Sequence, residues 1–340
     1  MQKDFWRNSK VAVIGGGSWG TVLANLISLN TRDVRVWVRD EDVARQVNST
    51  RLNSAYLPEM QLSEKVHAYC SLERVFEGGV QAVIWVLPSS ACREQAKIIA
   101  PFLSGEEIIL HGTKGIEFGT LKRVSEMLHE ELLCPRIGVI SGPNLAAEVA
   151  RGEPAATVVA SQFKEVLDAG QELLASEKFR VYRADDVIGL EWAGTLKNIL
   201  AIAAGCLDTL KYGWNSRALL ITRGLAEMVR FGVAMGASED TFLGLAGVGD
   251  LLATASSPLS RNYRVGAKLA AGEKLEDILA ELGSTAEGVQ TTRTVFEYAR
   301  LHGIHMPITE GVYHLLKGES VQEVIKSLMS RPQDTSGRSF

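Results

Sequence analysis

The run Val11-Ala12-Val13-Ile14-Gly15-Gly16-Gly17-Ser18-Trp19-Gly20 decides the reading of this chain. Four β-prone apolar residues pass straight into G-x-G-x-x-G at Gly15, Gly17 and Gly20. In a dinucleotide-binding turn each glycine meets a separate steric demand. The first allows a tight turn off a strand, the second lets a pyrophosphate approach the main chain, and the third lets the next helix pack on the sheet. The helix is visible, because Trp19, Val22, Leu23, Leu26 and Ile27 form one apolar stripe whose N-terminal amides and dipole would face the phosphates. A second strand at 34–38 ends in Arg39-Asp40, about 20 residues past the loop. An acid there grips the ribose hydroxyls of NAD, whereas an arginine accommodates the extra phosphate of NADP. Both are present, so the choice between NAD(H) and NADP(H) stays open. The same turn also reads G-x-S-x-G through Gly16, Ser18 and Gly20, the nucleophile elbow of hydrolases. An elbow normally follows several strands and this turn follows the first, which makes the hydrolase the poorer reading.

Working outward, further strands are expected at 82–87, 107–111, 136–140, 157–160 and 179–182, alternating with helical stretches. Several are continuous apolar runs, as strands covered on both faces should be. The alternation predicts an α/β Rossmann-like domain built on a doubly wound, mostly parallel sheet over residues 1–187. Beyond about residue 185 the strand signal stops. Val321, Val324, Ile325, Leu328 and Met329 fall at helical spacing, as do Ile308, Val312, Leu315 and Leu316. Residues 188–340 are therefore expected to form an all-α domain, joined to the first by a long helix over 186–209, with a frayed tail from Ser330 on.

Composition narrows the function. The 340 residues carry 36 basic and 40 acidic side chains, a net charge of −4, which argues against a nucleic-acid binder with a broad basic face and against a polybasic membrane anchor. Cys70, Cys92, Cys134 and Cys206 are scattered, with no CxxC pair, and read as reduced thiols. His302 and His305 are the closest histidine pair, but no cysteine or HExxH completes a metal site. The N-terminus is polar, and the apolar run at 199–207 is far shorter than a span of ~20 residues. The expectation is a soluble, cytoplasmic protein with no metal, no nucleic-acid partner and no integral membrane segment.

Chemistry-bearing residues cluster at the expected strand and helix ends. Lys114 follows the strand at 107–111, between Gly112 and Gly115, where ligands of open α/β sheets bind. Ser141-Gly142-Pro143-Asn144-Leu145-Ala146 is a second turn, with Pro143 suited to the first turn of a helix; it is either a further wall of that cleft or a simple cap. In the helix at 186–209, Lys197 has small neighbours at Ala193, Gly194 and Ala201, which leaves its stem in a cleft and suits it to proton transfer. Gly247 and Gly249 deliver Asp250 to a helix start, a position that dipole capping alone would also explain. Ser260-Arg261-Asn262 offers hydroxyl, guanidinium and amide in succession, a phosphate clamp or an ordinary polar turn.

Taken in order, GGGSWGT, TKGIE, SGPNLAAE, EWAGTLKNILAIAAG, ITRGLAEM, LAGVGDL, SRNYRVG and AEGVQTT make the chain resemble the bacterial-type NAD(P)-dependent glycerol-3-phosphate dehydrogenases, from Val11 to about Leu328. The resemblance implies a Rossmann-like domain, an all-helical domain, a cleft between them and a homodimer. It also implies reversible reduction of dihydroxyacetone phosphate to sn-glycerol 3-phosphate by NADH or NADPH, for glycerophospholipid synthesis. By motif, Lys197 matches the catalytic proton donor and acceptor. Lys114 matches a lysine touching substrate and cofactor. Gly142, Asn144, Asp250, Ser260, Arg261 and Asn262 match substrate positions, Arg261 lying also near the cofactor. Ser18, Trp19, Arg39, Tyr56, Ala146 and Glu287 match the cofactor shell, beside Gly15, Gly17 and Gly20. Members of the family often have Gly-Asp-Asn where this chain reads Gly213-Trp214-Asn215. Two further readings stand beside this one: a related Rossmann dehydrogenase acting on another small hydroxy acid, and a non-catalytic dinucleotide sensor.

Overall fold

Alternate residues of a strand face opposite sides of the sheet, so a strand apolar at every position must be covered twice. In the computed structural model, which describes residues 2–282 and 286–331 (side chains from residue 5), the first strand does this. Its Val11 and Val13 enter one apolar core while Ala12 and Ile14 enter another, all four without solvent exposure. The helices Ser18–Ser28 and Lys164–Leu174 cover the first face, and Ser89–Ile99 and Val124–Glu131 cover the second.

Eight strands build this sheet: β1 Lys10–Ile14, β2 Asp33–Trp37, β3 Val66–Tyr69, β4 Ala82–Trp85, β5 Ile108–His111, β6 Ile137–Ser141, β7 Ala155–Ala160 and β8 Phe179–Ala184. Their order is β3-β2-β1-β4-β5-β6-β7-β8, so the chain reverses its direction of winding between β1 and β4. Every expected strand is present, with ends shifted by at most two residues. The sequence reading missed β3, whose four residues V-H-A-Y are buried only at alternate positions on the sheet edge and form no apolar run.

The sheet is parallel from β3 through β6, but β7 pairs antiparallel with β6. The reason is length. Only a five-residue helix, Ala146–Ala150, lies between β6 and β7. At ~1.5 Å per residue it covers about 7 Å, too little to carry the chain back along a five-residue strand of about 16 Å. The eleven-residue helix Lys164–Leu174 does span that distance, and β8 returns parallel to β7.

The chain forms two compact units, Met1–Glu117 with Lys122–Val187, and Phe118–Leu121 with Ile188–Phe340. Among the described residues the second unit is helical from Val187–Thr209 to Val321–Met329. Val187–Thr209 is long and apolar enough to cross a membrane by length and composition, a property the shorter run at 199–207 did not show. Yet 78% of its apolar window is buried inside the protein, so packing accounts for its composition. Gly205 and Gly266 let this helix and Arg261–Ala270 touch through main chain: a Cβ on Gly266 would fall 1.8 Å from the Ile202 carbonyl oxygen. Glu227, in helix Trp214–Ala234, accepts from Ile308 N (2.5 Å), Thr309 N (3.1 Å) and Thr309 Oγ1 (3.1 Å), capping the helix Pro307–Leu316 from outside. Burial pushes its carboxyl up to about 7, against the pull of those donors. The stripes at 308–316 and 321–329 form helices as expected, and the tail beyond Arg331 lies outside the described residues.

Candidate functional site

Because β1, β4, β5 and β6 run parallel, the turns that follow them share one edge of the sheet, at the point where the winding reverses. The glycine turn leaves β1 there. Gly15 sits at φ +116°, open to glycine and strained for other residues, and its amide bonds Trp37 O at 3.2 Å. A Cβ on Gly20 would lie 1.8 Å from Gly15 O, so helix Ser18–Ser28 packs directly on the turn. A Cβ on Gly17, by contrast, would meet nothing within 4 Å. Gly17 is the helix N-cap and supplies no side chain to the first-turn amides, which are the donors an anion needs. This open main-chain cradle fits the pyrophosphate of a dinucleotide.

The neighbouring turns carry the other residues of this unit. Trp19 packs against Gly112, at the end of β5, and its ring lies 6.4 Å from that of Phe179. Lys114 Nζ is 3.5 Å from Gly142 O. Asn144 donates to Ala156 O at 2.8 Å, which braces the turn after β6. Ala146 opens the following helix, and Pro143 therefore stands in the turn before it and not in its first helical turn as expected. Asp40 caps helix Glu41–Thr50 by accepting from Asp42 N at 2.8 Å, while Arg39 is exposed. Tyr56 is 51% exposed, in the loop after that helix.

In the second unit the site is made of side chains. Lys197, 5% exposed, places Nζ 2.5 Å from Asp250 Oδ1 and 2.7 Å from Thr254 Oγ1. Asp250 is 2% exposed and receives Thr254 Oγ1 at 3.2 Å. An ammonium taken out of water this far needs both oxygens, since an unpaired buried charge is very costly. The sequence reading missed Thr254. Its signal was the spacing of Asp250 and Thr254, which stacks them on one face of helix Asp250–Ala255.

Ser260 caps helix Arg261–Ala270 by accepting from Tyr263 N at 3.3 Å, which leaves its own hydrogen to donate. Asn262 accepts from Gly288 N at 3.0 Å through Oδ1, next to Glu287 at the start of helix Glu287–Leu301. Arg261 is exposed on the first turn of its helix. Trp214 opens helix Trp214–Ala234 after the Gly213 N-cap, is 82% exposed, and lies under the Arg217 guanidinium. All four cysteines are free thiols, and His302 folds Nδ1 to within 3.0 Å of Tyr298 O at its helix end. A cavity of about 580 Å³ lined by Trp6, Gln81, Glu107, Arg136 and Asp168 contains none of the candidate residues. It sits at the amino ends of the parallel strands, where ligands of such sheets do not bind.

Comparison with known proteins bears on the family and the fold. Residues 10–167 match the family model of the NAD-dependent glycerol-3-phosphate dehydrogenase N-terminus, and residues 186–326 that of its C-terminus. The glycerol-3-phosphate dehydrogenase [NAD(P)+] of Leuconostoc mesenteroides is 43% identical over 331 residues, covering 95% of this chain and 98% of the relative. That of Nitratidesulfovibrio vulgaris is 44% identical over 325 residues, covering 95% and 98%. The crystal structure of glycerol-3-phosphate dehydrogenase from Coxiella burnetii superimposes with a TM-score of 0.90 at 38% identity, covering 95% of this chain and 99% of that one.

Proposed function

The chain belongs to the NAD-dependent glycerol-3-phosphate dehydrogenase family and is an NAD(P)-dependent oxidoreductase acting on the CH–OH group of glycerol 3-phosphate; on that premise we propose which of its residues perform the reaction. The observation that carries the assignment is the buried ammonium of Lys197 held by Asp250 and Thr254. In the reduction of dihydroxyacetone phosphate a bound NADH or NADPH supplies hydride to the carbonyl carbon. As the new C–H bond forms, the electron pair of the C=O bond moves to oxygen. Lys197 gives that oxygen its proton, and its charge stabilises the developing oxyanion. Asp250 and Thr254 hold Nζ so that little reorganisation accompanies the transfer. In the oxidative direction the same nitrogen takes the proton back.

The remaining roles follow from the motifs shared with the family, with donor type in support. Ser260, Arg261 and Asn262 bind the substrate phosphate through a hydroxyl, a guanidinium and an amide, with Gly142 and Asn144 shaping a further substrate contact. Lys114 adds positive charge toward substrate and cofactor. Gly15, Gly17 and the amides of Ser18, Trp19 and Gly20 hold the pyrophosphate. Arg39, Tyr56, Ala146, Arg261 and Glu287 complete the cofactor contacts. Residues 1–187 and 188–340 act as the dinucleotide-binding and catalytic domains of a cytoplasmic homodimer. A mass near twice 36.9 kDa by light scattering would support the dimer, and a mass near 36.9 kDa would remove it.

The test is oxidation of NADPH and, separately, NADH with dihydroxyacetone phosphate, followed by near-ultraviolet absorbance. For Arg261→Ala the expected change is a rise in the substrate KM of about 10- to 100-fold, in line with loss of a charged hydrogen bond, with kcat less affected. An unchanged KM would break the phosphate assignment.

A further inference from the structure

The loop that follows helix Glu41–Thr50 folds back around one asparagine. Arg51 turns the chain at φ 59°, Leu62 N bonds Arg51 O at 2.9 Å, and both Tyr56 N and Leu57 N bond Asn53 O, at 3.0 and 2.8 Å. The Asn53 side chain is 2% exposed. Its Nδ2 donates to Gly16 O at 2.9 Å and to Thr21 Oγ1 at 2.8 Å, so both amide hydrogens are spent on the glycine turn and its helix. Thr21 Oγ1 in turn donates to Gly16 O, at the longer distance of 3.4 Å.

The carbonyl held here belongs to the peptide joining Gly16 to Gly17. In a trans peptide C=O and N–H point in opposite directions. Pinning Gly16 O onto Asn53 therefore turns the Gly17 N–H the other way. The reversed peptide would aim a carbonyl oxygen where the N–H now points, repelling an anion. Glycines on both sides offer no Cβ to resist that reversal, so local sterics do not select the orientation. A hydrogen bond from elsewhere must select it.

We propose that Asn53 is a positioning residue for cofactor binding, its buried amide locking the Gly16–Gly17 peptide with N–H toward the pyrophosphate. The proposal rests on the assignment of the glycine turn to NAD(P). Asn53 touches neither cofactor nor substrate and acts only through the peptide it holds.

The test compares Asn53→Ala and Asn53→Asp with the wild-type enzyme. The aspartate keeps the volume but presents only acceptors to Gly16 O, and it decides the matter if the alanine variant does not fold. Calorimetric Kd values for ADP-ribose and for adenosine, kcat and KM for NADPH, and Tm are measured together. Loss of the two hydrogen bonds is expected to weaken ADP-ribose binding and raise the NADPH KM by about tenfold or more. The same variants should keep kcat at saturating NADPH within about twofold and leave adenosine affinity unchanged, because adenosine carries no phosphate. Thr21→Val, which keeps the Asn53 bond to Gly16 O and of the two bonds to that oxygen removes only the longer one, donated by Thr21 Oγ1 (3.4 Å), should move the same constants by only about two- to threefold. Folded variants with wild-type ADP-ribose affinity would overturn the proposal, as would equal losses for ADP-ribose and adenosine. Failure of the wild-type chain to bind ADP-ribose or NADPH would instead overturn the cofactor assignment beneath it.

Discussion

The glycine turn after β1 and the Lys197 cluster solve opposite problems with opposite materials. At the turn the groups that can hold a ligand are main-chain amides: a Cβ has no space at Gly20, and the open space at Gly17 is the approach to those amides. At the Lys197 cluster the functional groups are side chains, all three at most 6% exposed, drawn from positions 53 and 57 residues apart along the chain. A site made of amides binds an anion without burying any charge of its own. A site made of a buried ammonium must carry its own counter-charge or come apart. The first is thus intolerant of added volume at Gly20, and the second is intolerant of a lost charge or hydrogen-bond partner.

The largest effect should come from Lys197→Ala. Removing a positioned proton donor typically costs 10²–10⁴ in rate, so kcat is expected to fall by about 10³ while the Kd of NADPH stays within about twofold. Near-normal turnover would remove Lys197 from the chemistry and dissolve the contrast. The two glycines separate volume from binding next. Gly20→Ala should cost about 3 kcal/mol of stability, seen as a lowered denaturation midpoint, because its Cβ meets backbone that cannot yield. Gly17→Ala should leave that midpoint nearly unchanged and raise the KM for NADPH about tenfold, by crowding the approach to the amides. Equal stability losses at both positions would show that Gly17 is a packing residue.

Buried charge in the second unit carries a pH signature at Glu227. Its folded carboxyl sits near 7, above the ordinary 4.5, so the folded state holds the proton more tightly. Its contribution is fully present below pH ~4.5 and is lost as pH rises through ~7, about 3 kcal/mol in all, with no further change above. Glu227→Gln removes the charge and keeps an acceptor for one of the two amides, Ile308 N or Thr309 N. The difference in Tm between variant and wild type should therefore grow from pH 5 to pH 8; a flat difference would show that Glu227 ionises normally. The smallest effect is expected from Thr254→Val, which removes the threonine hydroxyl beside Lys197 Nζ at constant shape. kcat should fall about tenfold with substrate KM nearly constant. Loss of stability without loss of kcat would make Thr254 a structural partner only.

Much of the first unit was legible along the chain, for a physical reason. Strands buried on both faces are written as continuous apolar runs, and a dinucleotide turn confines its glycines to six consecutive positions. β3 escaped because an edge strand needs apolar residues at alternate positions only. The antiparallel β7 escaped because direction depends on how far a connection can travel, and the shortness of helix Ala146–Ala150 was not legible in the strand pattern. In the second unit Lys197 stood out as a charge in apolar company and Asp250 as a carboxylate delivered by two glycines to a helix start, but Thr254 did not, since a threonine in a helix is unremarked until a charge is placed beside it. Asn53 was silent for the same reason: an ordinary loop residue becomes the keeper of a peptide only once Gly16 O is 2.9 Å away.

Local order therefore carried the family and the α/β and all-α division, since apolar period, glycine spacing and motif order are properties of neighbours in the chain. Which oxygens lie beside the lysine and which amide pins the turn were settled by folding alone, since each depends on groups brought within 3 Å or so from distant positions, where hydrogen-bond energy falls steeply with distance and angle.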